Sequence, residues 1–319
     1  MDSTPWVEKY RPSHFDEIVL DPINKLILTN IIKSTHFPNL LFYGPPGTGK
    51  TTTIMNLVNE YQMATMKQLN GGFMIHLNAS DERGIDIIRN QINMFVTTRS
   101  LFGSGIKFVI LDEVDHMTKN AQTALRYILN SYNYSKHQVR FCLICNYISR
   151  IDEALQTEFV RLRFNQLPIP DICKFMQNIN LKENLNLSYE TIESIQVQFN
   201  SDVRSMVNYM QTNQDCGDEK IKMATKTDWD ELTNKLKTCK TSDNVNDICV
   251  WFMNKSHKSN LDIKHLMKLY MNHIVRNVPE LVTPTLLDKV EHIMHSNECK
   301  VDHIIHYFVL KISKCFQAN

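Results

Sequence analysis

Residues 44–51 read GPPGTGKT, an instance of the pattern G-x-x-x-x-G-K-[ST]. Gly44, Gly47 and Gly49 let a backbone curl until its amides point inward, and a helix that follows adds its positive N-terminal end; together these hold phosphate. Pro45, Pro46 and Thr48 fill out the loop between the glycines. Lys50 would reach the β- and γ-phosphates of a nucleotide, and Thr51 offers a hydroxyl to Mg²⁺. A Gly/Pro-rich turn can merely punctuate a strand and a helix. Here, however, the apolar run LLFY precedes it and the helical stretch TTIMNLVNEY follows, which is the context a phosphate loop needs.

A second apolar run, IKFVILD, ends on Asp112 followed by Glu113. A carboxylate at the C-terminal end of such a strand can hold Mg²⁺ through water, and the adjacent Glu113 can polarise an attacking water as general base. The pair therefore points to hydrolysis as well as binding. Standing alone, DEVD would read as a solvated loop after a core strand; beside a phosphate loop it reads as chemistry. The next run, VRFCLICN, closes on Asn146, whose place at a neighbouring strand end suits a residue that orients the γ-phosphate or the lytic water.

Those residues need a sheet that gathers strand ends at one edge. LLFY (40–43), FMIHLN (73–78), IKFVILD (106–112), VRFCLICN (139–146) and RLRF (161–164) predict strands with helix-length gaps between them. The continuous hydrophobicity of FVIL and FCLIC fits a parallel sheet covered by helices on both faces. After PIP at 168–170 the stretches ICKFMQNINLKENL and YETIESIQVQFN carry apolar positions at helical spacing, and no strand is expected. A turn-rich stretch, TNQDCGDEK (212–220), separates two helical groups. The expected organisation is an α/β domain over 1–165, a small helical domain over 166–220 and a larger helical domain over 221–319.

Composition sets limits on partners. Lys plus Arg is 35 against 34 for Asp plus Glu, so no global field attracts a polyanion and any such partner must be met by a local patch. The N-terminal residues lack an apolar core of signal-peptide length, and no run approaches the roughly 20 apolar residues of a membrane span, so the expectation is an intracellular protein without membrane contact. The 8 cysteines read as reduced thiols. Cys142 and Cys145 are spaced C-x-x-C, but inside FCLIC they face opposite ways along a strand, which suits packing better than metal or redox chemistry.

PWVEKYRP (5–12), GPPGTGKTT (44–52), LNASDERGID (77–86), LDEVD (111–115), ALRYILN (124–130) and SDVR (201–204) together resemble the small subunits of replication factor C, the sliding-clamp loader family within the AAA+ ATPases. The resemblance implies an AAA+ P-loop domain, a helical lid and a helical collar through which five subunits form an open ring. It implies ATP and Mg²⁺ as cofactors, and other clamp-loader subunits, the sliding clamp and primer–template DNA as partners, in the nucleus or at a viral replication site. ATP binding would let the ring open the clamp and grip DNA, and hydrolysis would release it. By the same resemblance Val7, Tyr10 and Arg11 line the adenine pocket, Thr52 joins the phosphate loop, Asn146 is sensor 1 and Arg204 is sensor 2. Arg83, Arg89 and Asn90 follow the DNA backbone, contacts that would be sequence-blind and salt-sensitive.

The chain departs from the family pattern at a place that matters for its chemistry. Small subunits usually carry Ser-Arg-Cys after sensor 1, the arginine reaching a neighbouring subunit's γ-phosphate; here Thr157-Glu158-Phe159 stand there. A carboxylate repels the charge that such an arginine stabilises, so the expectation is a subunit that does not complete the site of its neighbour. Two other readings are an ATP-binding structural subunit without turnover, disfavoured by Lys50 and Glu113, and another AAA+ remodeller such as a branch-migration helicase, disfavoured by VEKYRP and NASDERGID.

Overall fold

The computed structural model describes residues 4–67, 71–79, 85–98, 105–133, 139–214, 224–239, 241–259, 261–295 and 300–317. The chain forms two compact units, one of Met1–Met176 with Phe199–Gln211 and the other of Gln177–Gln198 with Thr212–Asn319.

Among the described residues the first unit is built on five strands: β1 (Leu40–Tyr43), β2 (Met74–Asn78), β3 (Lys107–Asp112), β4 (Val139–Cys145) and β5 (Val160–Arg163). They lie in the order β2-β3-β4-β1-β5 and every pairing is parallel. These are the five apolar runs of the sequence, shifted by no more than a residue at their ends. The period-two alternation of a strand sorts their side chains onto two cores. Leu41, Val109, Leu111, Phe141, Leu143 and Cys145 enter one, and Leu40, Phe42, Phe108, Ile110, Cys142 and Ile144 enter the other. Cys142 and Cys145 therefore do lie on opposite faces as free thiols. Burial pushes the pKa of Cys142 far up and that of Cys145 to about 12, so both stay protonated and act as small core residues.

The helices are α1 (Trp6–Lys9), α2 (Pro22–Ser34), α3 (Lys50–Met66), α4 (Ile85–Thr97), α5 (Lys119–Asn133), α6 (Glu153–Gln156), α7 (Ile169–Lys182), α8 (Tyr189–Phe199) and α9 (Val203–Thr212). Local signals set several ends. Asp21 accepts from the amides of Ile23 (2.9 Å) and Asn24 (3.4 Å), and Pro22 occupies the first turn of α2. Asp202 caps α9 by accepting from Ser205 N at 3.0 Å and Ser205 Oγ at 2.7 Å.

The rest of the second unit is helical: Lys226–Thr238, Ser242–Ser259, Ile263–Asn277, Pro284–His295 and Val301–Gln317. Among the described residues, every regular element after β5 is a helix, as the spacing predicts. The core of this unit is rich in aromatic rings. Trp229 packs on Tyr270 with centroids 5.7 Å apart, Phe252 meets Phe308 edge-on at 5.6 Å, and Thr233 Oγ1 satisfies the buried Tyr270 hydroxyl at 3.1 Å. Thr225 and Asp228 form a capping box at the start of Lys226–Thr238. No helix among the described residues is long and apolar enough to cross a membrane.

Candidate nucleotide-binding site

The parallel register places the ends of β1, β3 and β4 side by side, and the polar residues that follow them converge. Lys50, the first residue of α3, is buried at 7% exposure. Its Nζ donates to the carbonyl oxygens of Gly44 and Pro45, both at 2.8 Å, and to Asn146 Oδ1 at 3.0 Å. Thr51 Oγ1 donates to Asp112 Oδ2 at 2.7 Å, and the Glu113 amide donates to Asp112 Oδ1 at 2.9 Å. Thr48 Oγ1 closes the loop on itself through the Pro45 carbonyl at 2.9 Å.

The glycines are required for space as well as for conformation. Gly44 (φ 146°) and Gly47 (φ 73°) lie where L residues are strained, and a Cβ would meet the Phe164 carbonyl oxygen and Asp202 Oδ1 respectively, each at 1.8 Å. The loop is thus pinned between β5 and the start of α9, where Val203 N also donates to the Gly47 carbonyl at 3.2 Å. Glu113 has φ 57° without being glycine, a conformation that costs roughly 1–2 kcal/mol per residue and recurs at functional sites. It turns the carboxylate-bearing residue out of β3 immediately beside Asp112.

The electrostatics follow from burial. Loss of water lowers the Lys50 pKa below its ordinary value and Arg204 adds to that, while Asp112, Cys145 and Asp115 oppose it. Burial works to raise the Asp112 pKa, but the approach of His76 and the bonds from Thr51 and the Glu113 amide outweigh it and hold the carboxyl below its ordinary value. His76 Nε2 stands 3.7 Å from Asp112 Oδ2. An ionised aspartate beside a threonine hydroxyl is an all-oxygen donor set, which fits a hard divalent cation such as Mg²⁺.

A cleft of about 370 Å³ opens from these groups. Lys50, Thr51, Asp112, Glu113 and Asn146 line one part of it, with Pro46, Gly47, Thr48, Gly49 and Thr52. Val7, Tyr10 and Arg11 line another, and Arg11 Nε donates to Thr52 Oγ1 at 3.2 Å. Arg204, near the start of α9, also reaches the cleft. Gly44 and Pro45 meet the site through their carbonyls. Of the three residues expected on DNA, Arg83 and the side chain of Arg89 lie outside the described residues, and Asn90 is exposed on α4.

Several residues at the site escaped the sequence reading. Trp6 lines the cleft and is fixed by its amide's bond to Gln211 Oε1 at 2.9 Å; its neighbours in PWVEKYRP were the available signal. Gln122, 1% exposed, donates to the carbonyls of Met117 (3.2 Å) and Arg150 (3.0 Å) and accepts from Asp152 N at 2.7 Å, tying the turn after β3 to the one after β4. Asp115 is buried behind Asn146 and accepts its amide.

Comparison with known proteins agrees with this geometry. Residues 40–167 match the family model of the ATPase family associated with various cellular activities (AAA). Replication factor C subunit 5 of Mus musculus is 35% identical over 279 residues, covering 86% of this chain and 78% of that protein. The probable replication factor C subunit 5 of Dictyostelium discoideum is 32% identical over 296 residues, 91% of this chain and 81% of that one. Subunit 3 of Schizosaccharomyces pombe reaches 40% identity over a shorter 207 residues, 65% of this chain and 58% of its own length. With a phosphate loop, a carboxylate pair and a strand-end asparagine converging in one cleft, the chain belongs to the replication factor C small-subunit family of AAA+ clamp-loader ATPases.

Proposed function

We propose that this chain is an ATP-hydrolysing subunit of a sliding-clamp loader, working with other clamp-loader subunits in a five-membered ring that opens a clamp and sets it on primer–template DNA. The convergence of Lys50, Thr51, Asp112, Glu113 and Asn146 at one end of the sheet is the observation that carries the reading. In this division of labour residues 1–165 are the ATPase domain, 166–220 the lid and 221–319 the collar. Arg83, Arg89 and Asn90 make backbone contacts to DNA.

Each side chain has a defined task. The loop amides from Gly47 to Thr51 cradle the phosphates of ATP at the α3 N-terminus. Lys50, already poised on Asn146, places positive charge where the β- and γ-oxygens gain negative charge. Thr51 and Asp112 hold Mg²⁺, which when bound neutralises developing phosphate charge. Glu113 takes the proton from the attacking water, and Asn146 fixes that water or the γ-phosphate in line. Arg204 supplies a second cation, and Val7, Tyr10 and Arg11 enclose the base.

The Thr157-Glu158-Phe159 segment favours one ring position. Phe159 is buried in the core, which sets the segment's course and leaves Glu158 half-buried at the turn before β5. Arg161 is committed to Gln156 Oε1 at 3.2 Å. The chain therefore borrows a neighbour's arginine without offering one. Glu158→Arg should raise ATP turnover of a homomeric preparation at least tenfold; an assembled variant with unchanged turnover would contradict the missing-finger reading.

The deciding experiment is steady-state ATP turnover with and without primer–template DNA, clamp and partner subunits, beside Lys50→Ala. Stimulated turnover that Lys50→Ala abolishes supports the proposal. A chain that binds ATP yet never hydrolyses it, even among its partners, would instead be a structural subunit.

A further inference from the structure

The mechanism above leaves one buried acid without a task. Asp115, 5% exposed, sits in the short turn Val114–His116 that follows Glu113. Its Oδ2 accepts the amides of Asn146 at 3.3 Å and Tyr147 at 3.2 Å, the first two residues beyond β4. Its Oδ1 is buried and has no hydrogen-bond partner among the described residues. Burying a carboxyl oxygen unsatisfied is costly, and two backbone amides could be capped by a neutral group at less cost. The residues it holds are also distinctive, since Asn146 passes its own side chain to Lys50 Nζ at 3.0 Å.

We propose that Asp115 is a positioning residue for ATP hydrolysis: by gripping the Asn146 and Tyr147 amides it sets the direction in which the Asn146 side chain meets Lys50 and the γ-phosphate. The inference rests on the ATPase reading of the same cleft. The turn that carries Asp115 is continuous with Glu113, so one short segment presents the general base forward and anchors the strand-end asparagine behind. Without the grip the Asn146 and Tyr147 amides lose the bonds that orient them, and a displacement of about 1 Å at a catalytic group costs about 100-fold in rate. Binding of ATP would change little, because the loop amides and Lys50 contact the phosphates without Asp115.

Asp115→Asn is the comparator that keeps the acceptor while removing the charge that supports the Lys50 ammonium. Its carbonyl can accept the same two amides, and its NH₂ takes the place of an oxygen that has no bond to lose. The experiment uses the full chain in complex with its partner subunits and reads kcat, KM, ATP affinity and amide hydrogen exchange at Asn146 and Tyr147. Asp115→Ala should lose exchange protection at both amides and about 100-fold in kcat, with ATP affinity within threefold; Asp115→Asn should keep the protection and stay within fivefold of native kcat. In an Asn146→Ala background, Asp115→Ala should cost no further rate, as expected for residues acting through one another. Native kcat in Asp115→Ala, an additive loss in the double variant, or an Asp115→Asn that keeps its protection yet loses turnover would each overturn the proposal. Should the alanine variant fail to fold, Asp115→Ser, with one shortened acceptor, is judged by the same results. If the unaltered complex neither binds nor hydrolyses ATP, the ATPase reading itself has failed, visibly before any Asp115 variant is compared, and this inference falls with it.

Discussion

The two units solve different problems with different materials. Around the phosphate loop, conformation is fixed by polar bonds and by contacts too close for a Cβ: Lys50 to three acceptors, Thr51 to Asp112, Gly47 against Asp202. In the helical unit it is fixed by rings, Trp229 packing on Tyr270, Tyr270 on Phe308 and Phe308 on Phe252. The first arrangement specifies where charges stand and contributes little stability, because each buried polar group gives up water for every bond it gains. The second supplies burial energy and tolerates many sequences. The chain should therefore lose chemistry without losing its fold in one unit, and lose its fold without losing chemistry in the other.

The strongest challenge to that contrast is Lys50→Ala, which should cut turnover by about 1,000-fold while leaving the thermal transition in place. Burial already disfavours the Lys50 ammonium, so its removal relieves a cost as well as deleting bonds. A large drop in melting temperature would show that the site also holds the unit together. Next comes Phe308→Ala, expected to destabilise the helical unit by about 3–5 kcal/mol in a denaturant titration while ATP affinity below the transition is unchanged. A weaker ATP affinity in the folded variant would break the separation from the other side.

A finer test is Gly47→Ala. The added methyl would meet Asp202 Oδ1 at 1.8 Å at a φ of 73°, so the loop or the start of α9 must shift; ATP affinity should fall about tenfold, read by calorimetry. The smallest effect concerns Asp228 in the helical unit, bound to Lys255 Nζ at 2.7 Å. Burial pushes its pKa up, but the bonds from Lys255 and Thr225 prevail and hold it below the ordinary value. A depressed folded pKa means stability that is fully present above the unfolded value of about 3.9 and lost as pH falls through the folded one. Lys255→Met should flatten that acid-side loss by well under 1 kcal/mol, since the pair is partly exposed.

The same contrast explains what the sequence made legible. GPPGTGKT, its preceding strand and its following helix could be read directly because the chemistry is local: glycines, lysine and threonine adjoin one another in the chain. The five strands were equally clear, since burial on both faces writes a continuous apolar run. Asp115 was not clear, because DEVD has the composition of a solvated loop and its partners, Asn146 and Tyr147, come a full helix and strand later. Nor could Gly47 be seen to need space for Asp202, a contact made only when the two ends of the unit meet. In the helical unit, periodicity announced helices, but the order of the ring stack depends on how those helices cross.

The strand order also has a bearing on how the chain is made. The residues of β1 are synthesised early, yet they pair with β4 and β5, Leu40 against Cys142 on one side and against Val160 on the other. A nascent chain must therefore carry Leu40–Tyr43 with both edges open until residues far downstream leave the ribosome, and Phe199–Gln211 completes the same unit later still. Synthesis paused before Val160 would leave an apolar strand with an unpaired edge, the form most prone to stray association. Helpers that bind extended apolar segments during translation should be needed most by this stretch, and slow codons should be least tolerated between it and Arg163.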